Sequence, residues 1–216
     1  MSGRLRVAVV DYGAANMVSI AKALVSVGAD VVVVADGAGL AGADAIVVPG
    51  VGAAKTAMVR IRQRGLLEPL REWVAQDRPT LGVCLGYQLF FDRSDEGDAE
   101  TIGVISGDCA LLQDAPTLPH IGWNAVEYVR PNALFEGIAD GSHFYFVHSY
   151  APVPADESVV VARTTHGRPF VSAVARGALV GVQFHPEKSA DAGLRFLANF
   201  MAAAAERNAA LSVRAR

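Results

Sequence analysis

The chain has 216 residues, 52% of them hydrophobic, enough to bury a full core as one domain. Its formal net charge is −3 with no basic cluster, which argues against nucleic acid as a partner. Two cysteines, Cys84 and Cys109, make no disulfide framework and point to a reducing, cytoplasmic setting; no signal peptide is visible, and no run approaches the about 18 apolar residues that span a bilayer.

Taken in order, Arg6 to Val10 is a β-branched run and reads as a buried strand. Asp11-Tyr12-Gly13 turns the chain. Asn16 to Val27 carries Met17, Ile20, Ala21, Leu24 and Val25 at helical spacing, and Gly28 ends that helix. Val31 to Val34 and Ala45 to Val48 are further strands, the second ending at Pro49-Gly50-Val51-Gly52. Helices are expected over Ala53 to Arg62 and Leu66 to Ala75, then a strand over Thr80 to Val83 and a helix from Leu85 to about Asp92. Continuous apolar strands alternating with helices predict an α/β fold, a doubly wound, mostly parallel sheet covered on both faces. Chemistry in such sheets sits at the carboxyl ends of strands, which places Asp11, Gly50 to Gly52 and Cys84 around one cleft.

The second half is less regular and is expected to add a small antiparallel portion. Asp92 to Glu100 reads as a polar surface loop. Strands are expected at Ile102 to Val104, Ala125 to Val129, His143 to Val147, Ser158 to Val161, Phe170 to Ala175 and Leu179 to Gln183, with a turn at Arg176-Gly177. Ser189 is placed to cap a final helix from Ala190 to about Glu206. The organisation expected is a single domain over residues 1–207 with a frayed tail at 208–216.

Gly82-Val83-Cys84-Leu85-Gly86 has the spacing of a nucleophile elbow, with Cys in the place of Ser. Such a turn strains the nucleophile's backbone, crowds the flanking positions and sets the thiol at a helix N-terminus, where a thiolate and an oxyanion are favoured. A lone Cys is also a good small core residue. His185-Pro186-Glu187 tips the balance. In an extended segment, residues two apart project to one side, and Pro186 keeps His185 out of the helical region. Glu187 then orients the imidazole, whose other nitrogen can take a thiol proton. The three make a Cys84-His185-Glu187 triad. Pro49-Gly50-Val51-Gly52 offers backbone N–H groups for an oxyanion. Lys55-Thr56 stand where a phosphate-binding loop ends, but Pro49 and Ala54 fill its glycine positions, which argues against that reading.

With these motifs the chain resembles the class I glutamine amidotransferases. Within them it is similar to the glutaminase subunits of imidazole glycerol phosphate synthase, through Asp11-Tyr12-Gly13 with Asn16, Pro49 to Ala53, Phe91 to Glu96, Pro119 to Asn124, Phe144 to Tyr150 and Gln183 to Ser189. The resemblance implies hydrolysis of glutamine to glutamate and ammonia through a Cys84 thioester. It implies an oxyanion hole from the Leu85 N–H and the Val51-Gly52 loop, and glutamine bound by Gln88, Glu96, Ser149, Tyr150 and Gly52. It calls for no cofactor and no metal. It implies a heterodimer with a TIM-barrel cyclase subunit that consumes the ammonia, with Asn16, Trp123, Tyr145 and Lys188 near that interface. Core packing for Trp123 and Tyr145, and a solvated side chain for Lys188, are the plainer readings. Ala15, Ala54, Lys55 and Tyr87 depart from the family's usual residues. A glutaminase serving another synthase, or a non-catalytic regulatory subunit, are the alternatives.

Overall fold

A computed structural model describes residues 4–14 and 17–214. Ala15 and Asn16 lie outside the described residues. The first half runs β1 (Arg6–Val10), α1 (Met17–Ser26), β2 (Asp30–Val34), β3 (Ala45–Gly50), α2 (Ala54–Gln63), α3 (Leu67–Ala75), β4 (Thr80–Cys84) and α4 (Leu85–Gln88). The second half is mostly strand: β5 (Arg93–Ser94), β6 (Ala99–Glu100), β7 (Gly107–Leu111), β8 (His120–Ala125), β9 (Glu127–Tyr128), β10 (His143–His148), β11 (Tyr150–Pro154), β12 (Val160–His166), β13 (Arg168–Arg176) and β14 (Leu179–Val182). A long helix, α5 (Ala190–Arg214), closes the chain.

The main sheet has the order β2-β1-β3-β4-β14-β13-β12-β9. Its first five strands are parallel and the last three antiparallel. Period-2 alternation sends successive apolar residues of one strand into two different cores. Val7 and Val9 pack with Ile20 and Leu24 of α1 and Phe196 and Phe200 of α5. Ala8 and Val10 pack with Met58 and Ile61 of α2 and Leu70 and Trp73 of α3. Burial on both faces is why these strands read as unbroken apolar runs, and it makes the expected α/β, doubly wound architecture. Two smaller sheets, β10-β8 and β11-β7-β5-β6, add further antiparallel pairs, with β5 and β7 alone running parallel. Among the described residues no helix is long and apolar enough to cross a membrane.

Several expected elements differ. The elbow helix stops at Gln88 instead of reaching Asp92. The carbonyls beyond it are taken by a distant segment: Ile102 N–H donates to Leu89, Val104 and Ile105 to Phe90, and Gly103 to Phe91. Those same bonds keep 102–104 from being a strand. Asp92 to Glu100 is not a plain surface loop, because β5 pairs with β6 and β7 and buries Ser94 and Ala99. Strands β7 and β11 and the start of β8 were not expected from the sequence. The Ser189 hydroxyl serves elsewhere than as a helix cap: it accepts from Tyr145 N–H (3.0 Å) and donates to the His185 carbonyl (2.6 Å). The last helix runs through Arg214, past Glu206. Arg207 Nε donates to the Asp77 carbonyl (3.0 Å) and Asn208 Nδ2 to the Asp44 carbonyl (2.9 Å), which anchors the helix as far as Asn208.

Candidate active site

The site follows from the adjacency of β4 and β14. Val83 pairs with Val182, so the residues that leave the sheet after them emerge side by side. Cys84 caps α4 with φ 54° and ψ −112°, a strained conformation for a residue with a side chain. The flanking glycines are sterically required. A Cβ on Gly86 would lie 1.8 Å from the Val48 carbonyl oxygen, and one on Gly82 would lie 2.4 Å from the Phe90 ring.

His185 keeps the extended backbone expected before Pro186, with φ −99° and ψ 95°. The segment does not stay extended, however. Pro186–Lys188 forms a 3-10 turn, and it is this turn that carries Glu187 back to the imidazole. His185 Nδ1 lies 2.8 Å from Glu187 Oε1, with the side chains 1% and 0% exposed. Nδ1–H donates to the carboxylate, which leaves Nε2 to exchange protons. Nε2 is buried without a hydrogen bond of regular geometry, while its charge is coupled to the Cys84 sulphur. Burial alone would lower the His185 pKa. The Cys84 and Glu187 interactions outweigh it and raise the value to about 10. The imidazolium is therefore favoured wherever Cys84 carries the thiolate. Cys84 Sγ also accepts from Gln183 Nε2 (3.6 Å) and contacts the Val147 carbonyl (3.8 Å).

Cys84 opens onto a cavity of about 190 Å³ lined by Val51, Gly52, Leu85, Gln88, Glu96 and the 147–150 segment. Every residue expected to hold the oxyanion or glutamine thus borders one cavity: Val51, Gly52, Leu85, Gln88, Glu96, Ser149 and Tyr150. Gly52 has φ +99°, a backbone state that favours glycine, with open space around it. Glu96 has a second task, since Oε2 accepts the Ala54 N–H at the start of α2 (2.9 Å), tying the loop after β3 to the small sheet. Asp11 does not line this cavity: its carboxylate accepts the Gly13 N–H and pairs with Arg64 at 3.6 Å. A larger groove, of about 510 Å³, lies by Pro79, Ala178 and Arg207, away from the triad.

Trp123, Tyr145 and Lys188 come together beside the base. Tyr145 is directly opposite Trp123 across the β8–β10 ladder, their rings 6.2 Å apart, and the Lys188 ammonium lies 5.5 Å from the Tyr145 ring centre. The Tyr145 carbonyl accepts the His185 N–H at 2.9 Å. Trp123 is not core, as it is 52% exposed. Gln183, His148 and Pro119 also reach the site and were not singled out individually from the sequence. Gln183 sits two residues before His185 on the strand that feeds the base, which is the one sequence cue for it.

The fold and site define a class of protein. The family model for class-I glutamine amidotransferases matches residues 8–204, and the chain belongs to that family. Its fold is shared by a crystallised glutamine amidotransferase (TM-score 0.71, 23% identity, 92% of this chain and 98% of that one) and by another from Thermotoga maritima (TM-score 0.64, 18% identity, 90% and 81%). More narrowly, the chain is similar to imidazole glycerol phosphate synthase subunit HisH. The Moorella thermoacetica protein is 44% identical over 90% of this chain and 93% of its own length. The Symbiobacterium thermophilum protein is 46% identical over 90% and 92%.

Proposed function

We propose that this chain is the glutaminase subunit of imidazole glycerol phosphate synthase and hydrolyses glutamine through Cys84, His185 and Glu187. The observation that carries the chemistry is the buried His185–Glu187 pair leaving the sheet beside the elbow cysteine, which lines the 190 Å³ cavity. Cys84 sulphur attacks the side-chain carboxamide carbon. The oxygen takes up negative charge opposite the Leu85 N–H and the Val51-Gly52 loop. His185 gives its proton to the departing ammonia, leaving a thioester on Cys84. His185 then takes a proton from water, whose oxygen attacks the thioester and releases glutamate. Glu187 keeps the imidazole oriented through both transfers. Gln88, Glu96, Ser149 and Tyr150 hold the amino-acid end, with Glu96 suited to an α-ammonium.

The choice of partner rests on the relatives, which are named as subunits of that synthase at 44% and 46% identity. A cyclase subunit would take the ammonia and, with a phosphoribosyl-aminoimidazole substrate, form imidazole glycerol phosphate and an aminoimidazole carboxamide ribotide. Ile121 and Trp123, on one face of β8, are 61% and 52% exposed, an apolar surface suited to burial against that partner. Trp123, Tyr145 and Lys188 stand there beside the base. Asn16, outside the described residues, is assigned to the same interface. Two free thiols, Cys84 and Cys109, suit a cytoplasmic setting.

The test is glutamate release with the cyclase subunit, with and without its nucleotide ligand. Release that rises with both supports the assignment. Release indifferent to the cyclase removes the partner and leaves a glutaminase of another synthase.

A further inference from the structure

Two buried histidines that the hydrolysis does not use stand one behind the other at the glutamine cavity: His148 lines it and His120 backs His148. His120 on β8 and His148 on β10 face each other across the ladder and are 3% and 6% exposed. His120 Nδ1 is 3.1 Å from His148 Nε2. His148 Nδ1 is 2.9 Å from the Tyr150 carbonyl, and His120 Nε2 is 3.2 Å from Asn124 Nδ2. Asn124 Nδ2 also donates to the Thr165 carbonyl at 2.9 Å, and Asn124 Oδ1 accepts the Ala125 N–H at 2.8 Å.

These contacts allow one arrangement of protons. A main-chain carbonyl only accepts, so His148 must carry its proton on Nδ1, and its Nε2 is an acceptor. His120 must then donate from Nδ1, which makes its Nε2 the acceptor for Asn124. The Asn124 orientation is set independently, by the Thr165 carbonyl and the Ala125 N–H. The chain continues past Tyr150. Gln88 Nε2 donates to the same Tyr150 carbonyl (2.8 Å) and to Gln183 Oε1 (3.0 Å), and Gln183 Nε2 points to Cys84 Sγ. Both Nε2 hydrogens of Gln88 are committed, so what it presents to the cavity is an acceptor oxygen.

We propose that Asn124, His120 and His148 form a directional hydrogen-bond relay that holds the Tyr150 carbonyl and the Gln88 and Gln183 amides in register with Cys84. His120 and His148 are then positioning residues for glutamine, a role that rests on the glutaminase reading. Burial supports the neutral state the relay needs. Desolvation, followed by the charge of His166, lowers the His120 pKa to about 4. For His148 burial again dominates, and with the other histidines it outweighs the Tyr150 hydrogen bond to give about 3. His166 stacks on His120 with ring centres 4.1 Å apart and closes the outer side.

The relay makes a spectroscopic prediction that packing alone does not. In the full chain labelled with ¹⁵N-histidine, both His120 and His148 are neutral Nδ1–H tautomers at pH 7. An Nε2–H tautomer at either residue overturns the relay. The second arm is Asn124→Asp, nearly isosteric but with no N–H to donate. It makes His120 donate from Nε2, so a neutral His120 can no longer donate to His148 and the proton order down to Tyr150 is opposed. The KM for glutamine, measured in the complex with the cyclase subunit, is expected to rise about tenfold, with His148 shifted from its Nδ1–H signature. An unchanged KM and unchanged tautomers in Asn124→Asp overturn the relay. Wild-type complex that releases no glutamate sinks the glutaminase reading instead, and the tautomers still decide the relay.

Discussion

Glu187 Oε1 accepts from His185 Nδ1 at 2.8 Å in a pocket that solvent does not reach, and the two residues are held together by a single 3-10 turn. A buried carboxylate this close does more than orient the ring. It stabilises the imidazolium against its own desolvation. Replacing Glu187 by Gln keeps an acceptor but removes the charge. Turnover of glutamine is expected to fall about 100-fold, with KM changed less than about threefold because Glu187 does not line the glutamine cavity. Steady-state glutamate release checks both, and a variant with wild-type kcat would remove Glu187 from the triad.

The His185 pKa is a second handle. Its value of about 10 depends on Cys84 as well as Glu187. In Cys84→Ala the burial penalty and Glu187 remain, and the sulphur is gone. The His185 pKa is expected to drop from that value, read by histidine NMR over pH 5 to 11. An unmoved titration would mean that the sulphur and the imidazole do not communicate.

The elbow glycines predict a contrast in stability. Gly86→Ala drives a Cβ against the Val48 carbonyl, backbone that cannot step aside, and is expected to cost about 3 kcal/mol or more. Gly52→Ala meets open space and suffers only its φ of +99°, about 1–3 kcal/mol. Denaturant unfolding separates the two, and equal costs would contradict the crowding at the elbow.

His120 and His148 set the acid limb of stability. Both native values, about 4 and about 3, lie below the ordinary 6.5. Between 6.5 and those values the unfolded chain binds protons that the native chain refuses. Their contribution is complete above pH 6.5 and is lost as pH falls through the native values. Thermal unfolding from pH 7 to 4 is expected to show a steep loss in the wild type and a shallower one in His148→Gln. Equal slopes would show that His148 protonates freely inside the fold.

Trp123 is half exposed, so Trp123→Ala should cost the isolated chain only about 1 kcal/mol, through its edge contact with Tyr145. Binding to the cyclase subunit should weaken by tenfold or more if that surface is the interface. Calorimetric titration reads this, and unaltered affinity would move the interface elsewhere.

What was legible in the sequence was what short spacing encodes. Cys84 between Gly82 and Gly86, and His185 before Pro186, depend on local backbone, and parallel apolar strands announce themselves by composition. The His185–Glu187 spacing implies their contact but not its route, which is a 3-10 turn instead of an extended strand. The His120–His148 pair was hidden because residues 28 apart meet only through the β8–β10 register, which no periodicity reports. The short elbow helix was hidden likewise, since amides from 102–105 claim the carbonyls of Leu89, Phe90 and Phe91 just beyond it. Trp123 looked equally suited to core or surface, because aromatic residues serve both.

The central claim is that Cys84 is the nucleophile of a glutaminase. The most direct measurement is glutamate formed from glutamine by the chain in complex with the cyclase subunit and its nucleotide ligand, wild type against Cys84→Ala. The account predicts steady glutamate and ammonia from the wild type and none above background from Cys84→Ala. Equal release from both, or none from the wild-type complex, would contradict it.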